Sequence, residues 1–314
     1  MRTNLRGWLA LAALATLACK ASDHGSPADA PAAPSAPAAP SAAPVTPSPA
    51  SSASGGQDRP YGDGRLPFEY DTVAMSAAPG DMVLAPPRPW LDNAIERGVE
   101  EQPFVFFRAE LLEPGKRGSV VKTPSGRIEQ IPNALLIPIR KGEQVRPGQV
   151  VLTTWQSGTG LQRAMVVKGG TPESPNVHYL DLQYKHPSGI GKETERLAPN
   201  TFHRLEKPGE PGTSVACREG ELHRHYIVIH TGATRLIGLG FAGRLRVIPR
   251  AACVSLEVTP HIDDTPLFVP VMGVFQQARV RHYEEELGRV FVRYSHGGED
   301  AEDVFGIVNV TRSL

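Results

Sequence analysis

From Pro79 onward, short apolar runs alternate with Pro- and Gly-containing turns, a spacing of about 8–12 residues that marks strands rather than helices. The first such stretch predicts strands over Met82–Ala85, Phe104–Leu112, Ser119–Lys122 and Arg127–Ile131, with a hairpin turn from Thr123 to Gly126. Val, Ile, Tyr and Phe fill these runs, as a half-buried pleated surface favours. One segment breaks the rhythm. Leu91, Ala94, Ile95 and Val99 fall on one side of a helix predicted over Leu91 to Glu100, behind a Pro-rich lead that ends in Trp90. Ten residues make a marginal helix in water, so its apolar side needs a surface to dock on. Capping of the adjacent barrel and lining of a partner groove are the two roles open to it.

The pattern repeats. Gly126 to Ala134 (GRIEQIPNA) recurs as Gly243 to Ala251 (GRLRVIPRA), 117 positions on, whereas Pro79-Gly80 recurs as Pro211-Gly212, 132 positions on. The difference of 15 is an insertion in the first copy, placed at Pro86 to Glu100. A second pair is related in the same way: Leu161 to Val166 matches Phe275 to Val280, and Val177-His178-Tyr179 matches Val292-Arg293-Tyr294. Four units follow, near 79–140, 147–206, 211–258 and 264–314, in the order A-B-A′-B′. A unit of ~60 residues buries too little surface to be stable alone, so the units are expected to pack in pairs, 63–206 and 207–314.

Residues ahead of the repeats read differently. Arg2 and Arg6 precede an apolar run from Trp8 to Ala18, about half the ~20 residues a helix needs to span a bilayer. A basic start and a short apolar stretch mark an export signal. Its end, Ala15-Thr16-Leu17-Ala18-Cys19, resembles the lipobox of bacterial lipoproteins, with Thr16 where Leu is usual. The resemblance implies a signal peptide of residues 1–19, acyl chains such as palmitate on Cys19, and a membrane partner through that lipid. Lys20 in place of Asp implies the outer membrane. Residues 20–62 are almost wholly Ala, Pro, Ser and Gly, a composition expected to form a disordered, extended tether.

The repeat motifs resemble those of the Tudor and Agenet-like group of small SH3-like barrels. The carrying stretches are Val83-Leu84-Ala85 with Phe106 to Leu111 in A, Leu161 to Val166 with Val177 to Asp181 in B, and Phe275 to Val280 with Val292 to Tyr294 in B′. In B′, His296 stands where Asp is usual, and His225 to Ile229 in A′ lacks the Ala step. The resemblance implies an all-β fold of four tandem SH3-like barrels. It also implies an aromatic cage at Trp155, Tyr179 and Asp181, with Tyr184 nearby, set against the alternative that these are ordinary core and rim residues. Cys217 and Cys253 correspond by the repeat to Ala85 and Leu136, on strands that neighbour each other in such a barrel. A disulfide is the expectation for an exported chain.

Charge and chemistry narrow the function. With 33 Lys+Arg against 33 Asp+Glu the net charge is zero, so no long-range field favours nucleic acid as a partner. Gly238-Leu-Gly-Phe-Ala-Gly243 fits the G-x-G-x-x-G of a dinucleotide-binding oxidoreductase, but Pro249 would fall inside the helix such a motif opens. His223 and His225 share a strand face without a third ligand placed by spacing, so no metal or other cofactor is expected. Neither G-x-S-x-G nor H-E-x-x-H occurs, so no catalytic residue is assigned. The leading expectation is a non-enzymatic, lipid-anchored envelope protein whose barrels bind a protein, a peptide or a cell-wall glycan such as peptidoglycan. A purely structural envelope lipoprotein is the alternative.

Overall fold

A computed structural model describes residues 64–155, 160–182 and 194–314. Cys19, the tether and Tyr184 lie outside the described residues. The fold is all-β, with one α-helix among the described residues. Unit A contains β1 (Met82–Ala85), β2 (Phe107–Glu113), β3 (Gly118–Lys122), β4 (Ile128–Pro132) and β5 (Ile137–Pro138), ordered β4-β3-β2-β1-β5. Unit B repeats this order with β6 (Val150–Thr154), β7 (Leu161–Thr171), β8 (Ser174–Tyr179), β9 (Thr194–Arg196) and β10 (His203–Arg204). Unit A′ does so with β11 (Ser214–Glu219), β12 (Leu222–Thr231), β13 (Arg235–Leu239), β14 (Leu245–Pro249) and β15 (Cys253–Ser255). In B′ the strands are β16 (Leu267–Val271), β17 (Val274–Glu284), β18 (Arg289–His296) and β19 (Glu299–Gly306), and Thr311 returns to pair with Phe268 of β16. Each unit is thus an antiparallel meander whose last segment comes back beside its first strand.

The Pro-Gly turns open three units in one geometry. The Gly80 N–H donates to Leu111 O at 2.7 Å, Gly148 to Val166 O at 2.9 Å, and Gly212 to Val228 O at 2.7 Å. All three glycines have positive φ (80°, 86° and 94°), which a side chain would resist. These anchor pairs lie 31 positions apart in A and 16 in A′, so the 15-residue insertion sits between them.

The helix α1 (Arg88–Arg97) occupies that insertion and starts three residues before the predicted Leu91. Pro89 fits a first turn, where its missing N–H costs nothing, and Gly98 at φ 103° ends the helix before Val99. Leu91 and Ala94 are fully buried. The Arg88 N–H donates to Glu129 Oε2 of β4 at 3.0 Å, which seats the helix on unit A.

The units do not form two self-contained pairs. One buried cluster draws Val83 and Leu91 from A, Leu152 and Met165 from B, Ile229 and Ile237 from A′, and Val269 and Val290 from B′. Strand β6 shows how. All five of its residues are buried; Val151 points into the interior of unit B, while Val150 and Leu152 point into the shared core. Alternation carries one strand into two cores. A′ and B′ are joined further by β12–β17 pairing at Arg224–Val274.

Residues 64–78 form no strand and cross two units as a strap. Asn133 Nδ2 donates to Val73 O at 2.8 Å in unit A. The Tyr70 hydroxyl donates to Arg235 O at 3.1 Å in unit A′ and lies 3.2 Å from His230 Nδ1. Among the described residues no helix is long and apolar enough to cross a membrane.

Candidate functional site

Tyr179, at the end of β8, is a core residue of unit B. Its ring joins Val151, Val166 and Phe202 in the interior, with Trp155 packed at the edge of the same cluster. The Tyr179 hydroxyl lies 2.8 Å from Glu195 Oε2. Its face is therefore spent on packing, and the pair offers no open cage. Trp90 belongs elsewhere: it is half-buried on α1, edge-on to Phe107 at 6.0 Å.

The exception in A′ has a packing explanation. Register places Ala164 opposite Tyr179 in B and Ala278 opposite Tyr294 in B′. In A′ the position of that Ala, opposite Val215 on the first strand, holds Tyr226. Continuing the Ile227–Leu239 pairing, Gly240 stands where B and B′ carry Tyr. The ring has moved across to the neighbouring strand. A Cβ at Gly240 would come within 2.7 Å of the Tyr226 ring, and one at Gly238 within 2.9 Å of Tyr226 Cβ. Gly243, at φ 73°, leaves room for the Phe104 backbone, which a Cβ would meet at 2.6 Å. The three glycines of the G-x-G-x-x-G run thus lie on β13 and the turn after it, not at the head of a helix. A dinucleotide fingerprint needs that helix N-terminus, so this glycine run does not form one.

Cys217 and Cys253 face each other across β11 and β15 and form a disulfide. His223 and His225 share a face of β12, but His225 Nε2 lies 2.9 Å from Ser214 Oγ. Among the described residues no group of three His, Cys, Asp or Glu side chains could hold a metal ion.

The strongest polar constellation lies where B, A′ and B′ meet. Arg163 on β7 is 1 % exposed and grips Asp181 through Nε (3.0 Å) and Nη2 (2.6 Å). Its Nη2 also donates to Asn309 Oδ1 of B′ at 2.6 Å, and its Nη1 to Ser214 Oγ of A′ at 2.5 Å. A guanidinium is a fixed fork of donors, and here it fixes three units at once. Burial alone would raise the Asp181 pKa, but Arg163 outweighs it and holds the carboxyl below its usual range. Burial, with the Arg163 charge beside it, pushes the His225 imidazole down to about 3. Arg289 of β18 is likewise buried. It donates to Leu180 O at 2.9 Å, to Leu182 O at 3.0 Å and to Tyr179 O, closing the chain end that leaves β8.

Above this floor opens a cleft of about 480 Å³. Its walls are Leu161, Leu180, Ile227, Leu239, Pro270 and Phe305, and Phe241 stands on its rim 57 % exposed. Met272, 64 % exposed, tops the β16–β17 turn at φ 49°. Its neighbour Gly273 packs on Phe241 so closely that a Cβ there would lie 2.5 Å from Phe241 Cβ. Sequence reading found Asp181 but not Arg163 or Asn309, whose polar side chains gave no local mark of burial. Chemically the floor is committed: each charged group on it already has a partner, and what the mouth offers is apolar contact. No protein-family model matches the chain, and no curated protein matches it.

Proposed function

We propose that the chain is a non-enzymatic binding scaffold of the bacterial envelope: four SH3/Tudor-like barrels packed as one body, exported and held to the outer membrane by lipid on Cys19. The observation that carries the binding role is the junction cleft, where a rigid, fully paired polar floor lies under the exposed Phe241 of its rim, with Met272 exposed on the adjoining β16–β17 turn. Large apolar side chains left exposed together mark interaction sites, and junctions between units favour them. An envelope protein or peptide is the partner this surface fits. A role as spacer alone is the competing reading, since the same packing would serve it.

Retention of partners from an envelope extract separates the two. Parent protein and Trp155→Ala are expected to hold the same partner, and Phe241→Ala/Met272→Ala to lose it. An identical set of retained proteins for the double variant would favour the spacer. The anchor is tested apart from this: labelled fatty acid should mark the parent and not Cys19→Ser.

A further inference from the structure

The repeat supplies an internal comparison on the other side of the molecule. One step beyond the Ala or Tyr position of the second strand, register pairs Glu110 with Lys122 in A, Met165 with His178 in B, and Ile227 with Leu239 in A′. In B′ the same pair is Arg279 with Arg293. The first sets opposite charges across from each other, and the next two are packed between units. The last sets two like charges directly opposite each other, which a sheet resists.

Both outward-facing copies of this place are clefts. In A it measures about 270 Å³ and is lined by Ala109, Glu110, Lys122 and Thr123. In B′ it measures about 590 Å³ and is lined by Gln277, Arg279, Arg293, Tyr294, Ser295 and Asp300. Of the acids of β19, Asp300 lies 2.6 Å from Arg293 Nη2 and Glu302 stands opposite Arg293. That exposed pair is worth little and yields readily to a competitor. On the other flank of β17 the pairing of Leu267 with Ala278 puts Pro266 beside Arg279, and Pro266 lines the cleft. Arg279 therefore has no hydrogen-bond or ion-pair partner among the described residues.

We infer that the B′ cleft is a binding site for an oxyanion, a phosphate or a carboxylate group of a small ligand. Arg279 and Arg293 grip the anion from adjacent strands, and the Ser295 hydroxyl and Gln277 amide are the further donors in the lining. Guanidinium forks suit both groups. Pro266, beside Arg279 in the lining, gives the ligand's carbon skeleton an apolar contact. This site is separate from the junction cleft and from the anchor, and either can fail without affecting it.

The test uses the full chain at constant ionic strength, titrated with inorganic phosphate and separately with glucuronate, and followed by ligand-detected nuclear magnetic resonance. Saturable binding of at least one is expected, and which one saturates identifies the group. Arg279→Glu, which gives B′ an acid–base pair as in A, should weaken it by at least about tenfold, with Arg279→Gln as a second variant should the first fold poorly. Glu110→Arg in unit A should create a second equivalent of binding. Absence of saturation with either anion, or equal binding by the Arg279 variants, would overturn the proposal. So would displacement by chloride at the same ionic strength.

Discussion

At the scale of single residues, the exchange of Tyr and Gly between strands makes a sharp prediction. Gly240→Ala forces a Cβ against the Tyr226 ring and should cost about 1–3 kcal/mol, as overpacking does. Tyr226→Ala alone leaves a void, costing about 3–5 kcal/mol. Tyr226→Ala with Gly240→Tyr restores the Ala–Tyr arrangement of B and B′ and should recover much of that loss in urea midpoints. Acid sensitivity belongs to this scale too. His225 titrates at about 3 in the folded protein and near ~6.5 when unfolded. Between these values the unfolded chain binds a proton that the folded chain refuses. Stability is full above that window and falls as the pH drops through it. Going from pH ~7.5 to ~5 should cost the parent up to roughly 2 kcal/mol, and His225→Gln should remove most of this. Asp181, lowered instead by Arg163, adds its own loss only further into acid, below the usual carboxylate range.

At the scale of elements, the helix decides between capping and groove. Leu91 is fully buried beneath α1, so Leu91→Ala should cost about 2–5 kcal/mol. Replacing residues 86–100 by a short Gly-Ser link should lower the melting temperature further. A shortened chain as stable as its parent would return the helix to the groove role. Strands were legible because their signals are local: the four predicted in A end within three residues of β1 to β4. The helix start was not, because the Pro-rich lead read as extended chain, whereas Pro89 is at home in a first turn. The repeat was legible through its turns, and it led correctly to Cys217 and Cys253. The junction was not legible. Arg163 finds its partners 18, 51 and 146 residues away, in three different units, and no window of sequence joins them. Asp181 was picked for a cage because the motif marks the position but not the direction its carboxylate takes.

Over the whole molecule, shared burial predicts shared unfolding. Because one core takes side chains from all four units, the described body should melt in a single transition by fluorescence and circular dichroism alike. Residues 207–314 made alone would expose Ile229, Val269 and Val290 and should be aggregated or molten. Two separate transitions, or a soluble, cooperative 207–314 fragment, would show that the pairs are independent domains after all.

The strap of residues 64–78 sets where a pull on the chain ahead of it enters the body. A load applied to the chain ahead of it first meets Val73 on Asn133 of unit A and Tyr70 on Arg235 of unit A′. Only then does it reach β1, which is flanked by β2 on one side and β5 on the other. Such a strand cannot be peeled from an edge; two ladders must shear together. If the proposed lipid on Cys19 holds the chain, the pull enters at a seam between two units and loads bonds that hold its halves in register before it can unzip either one.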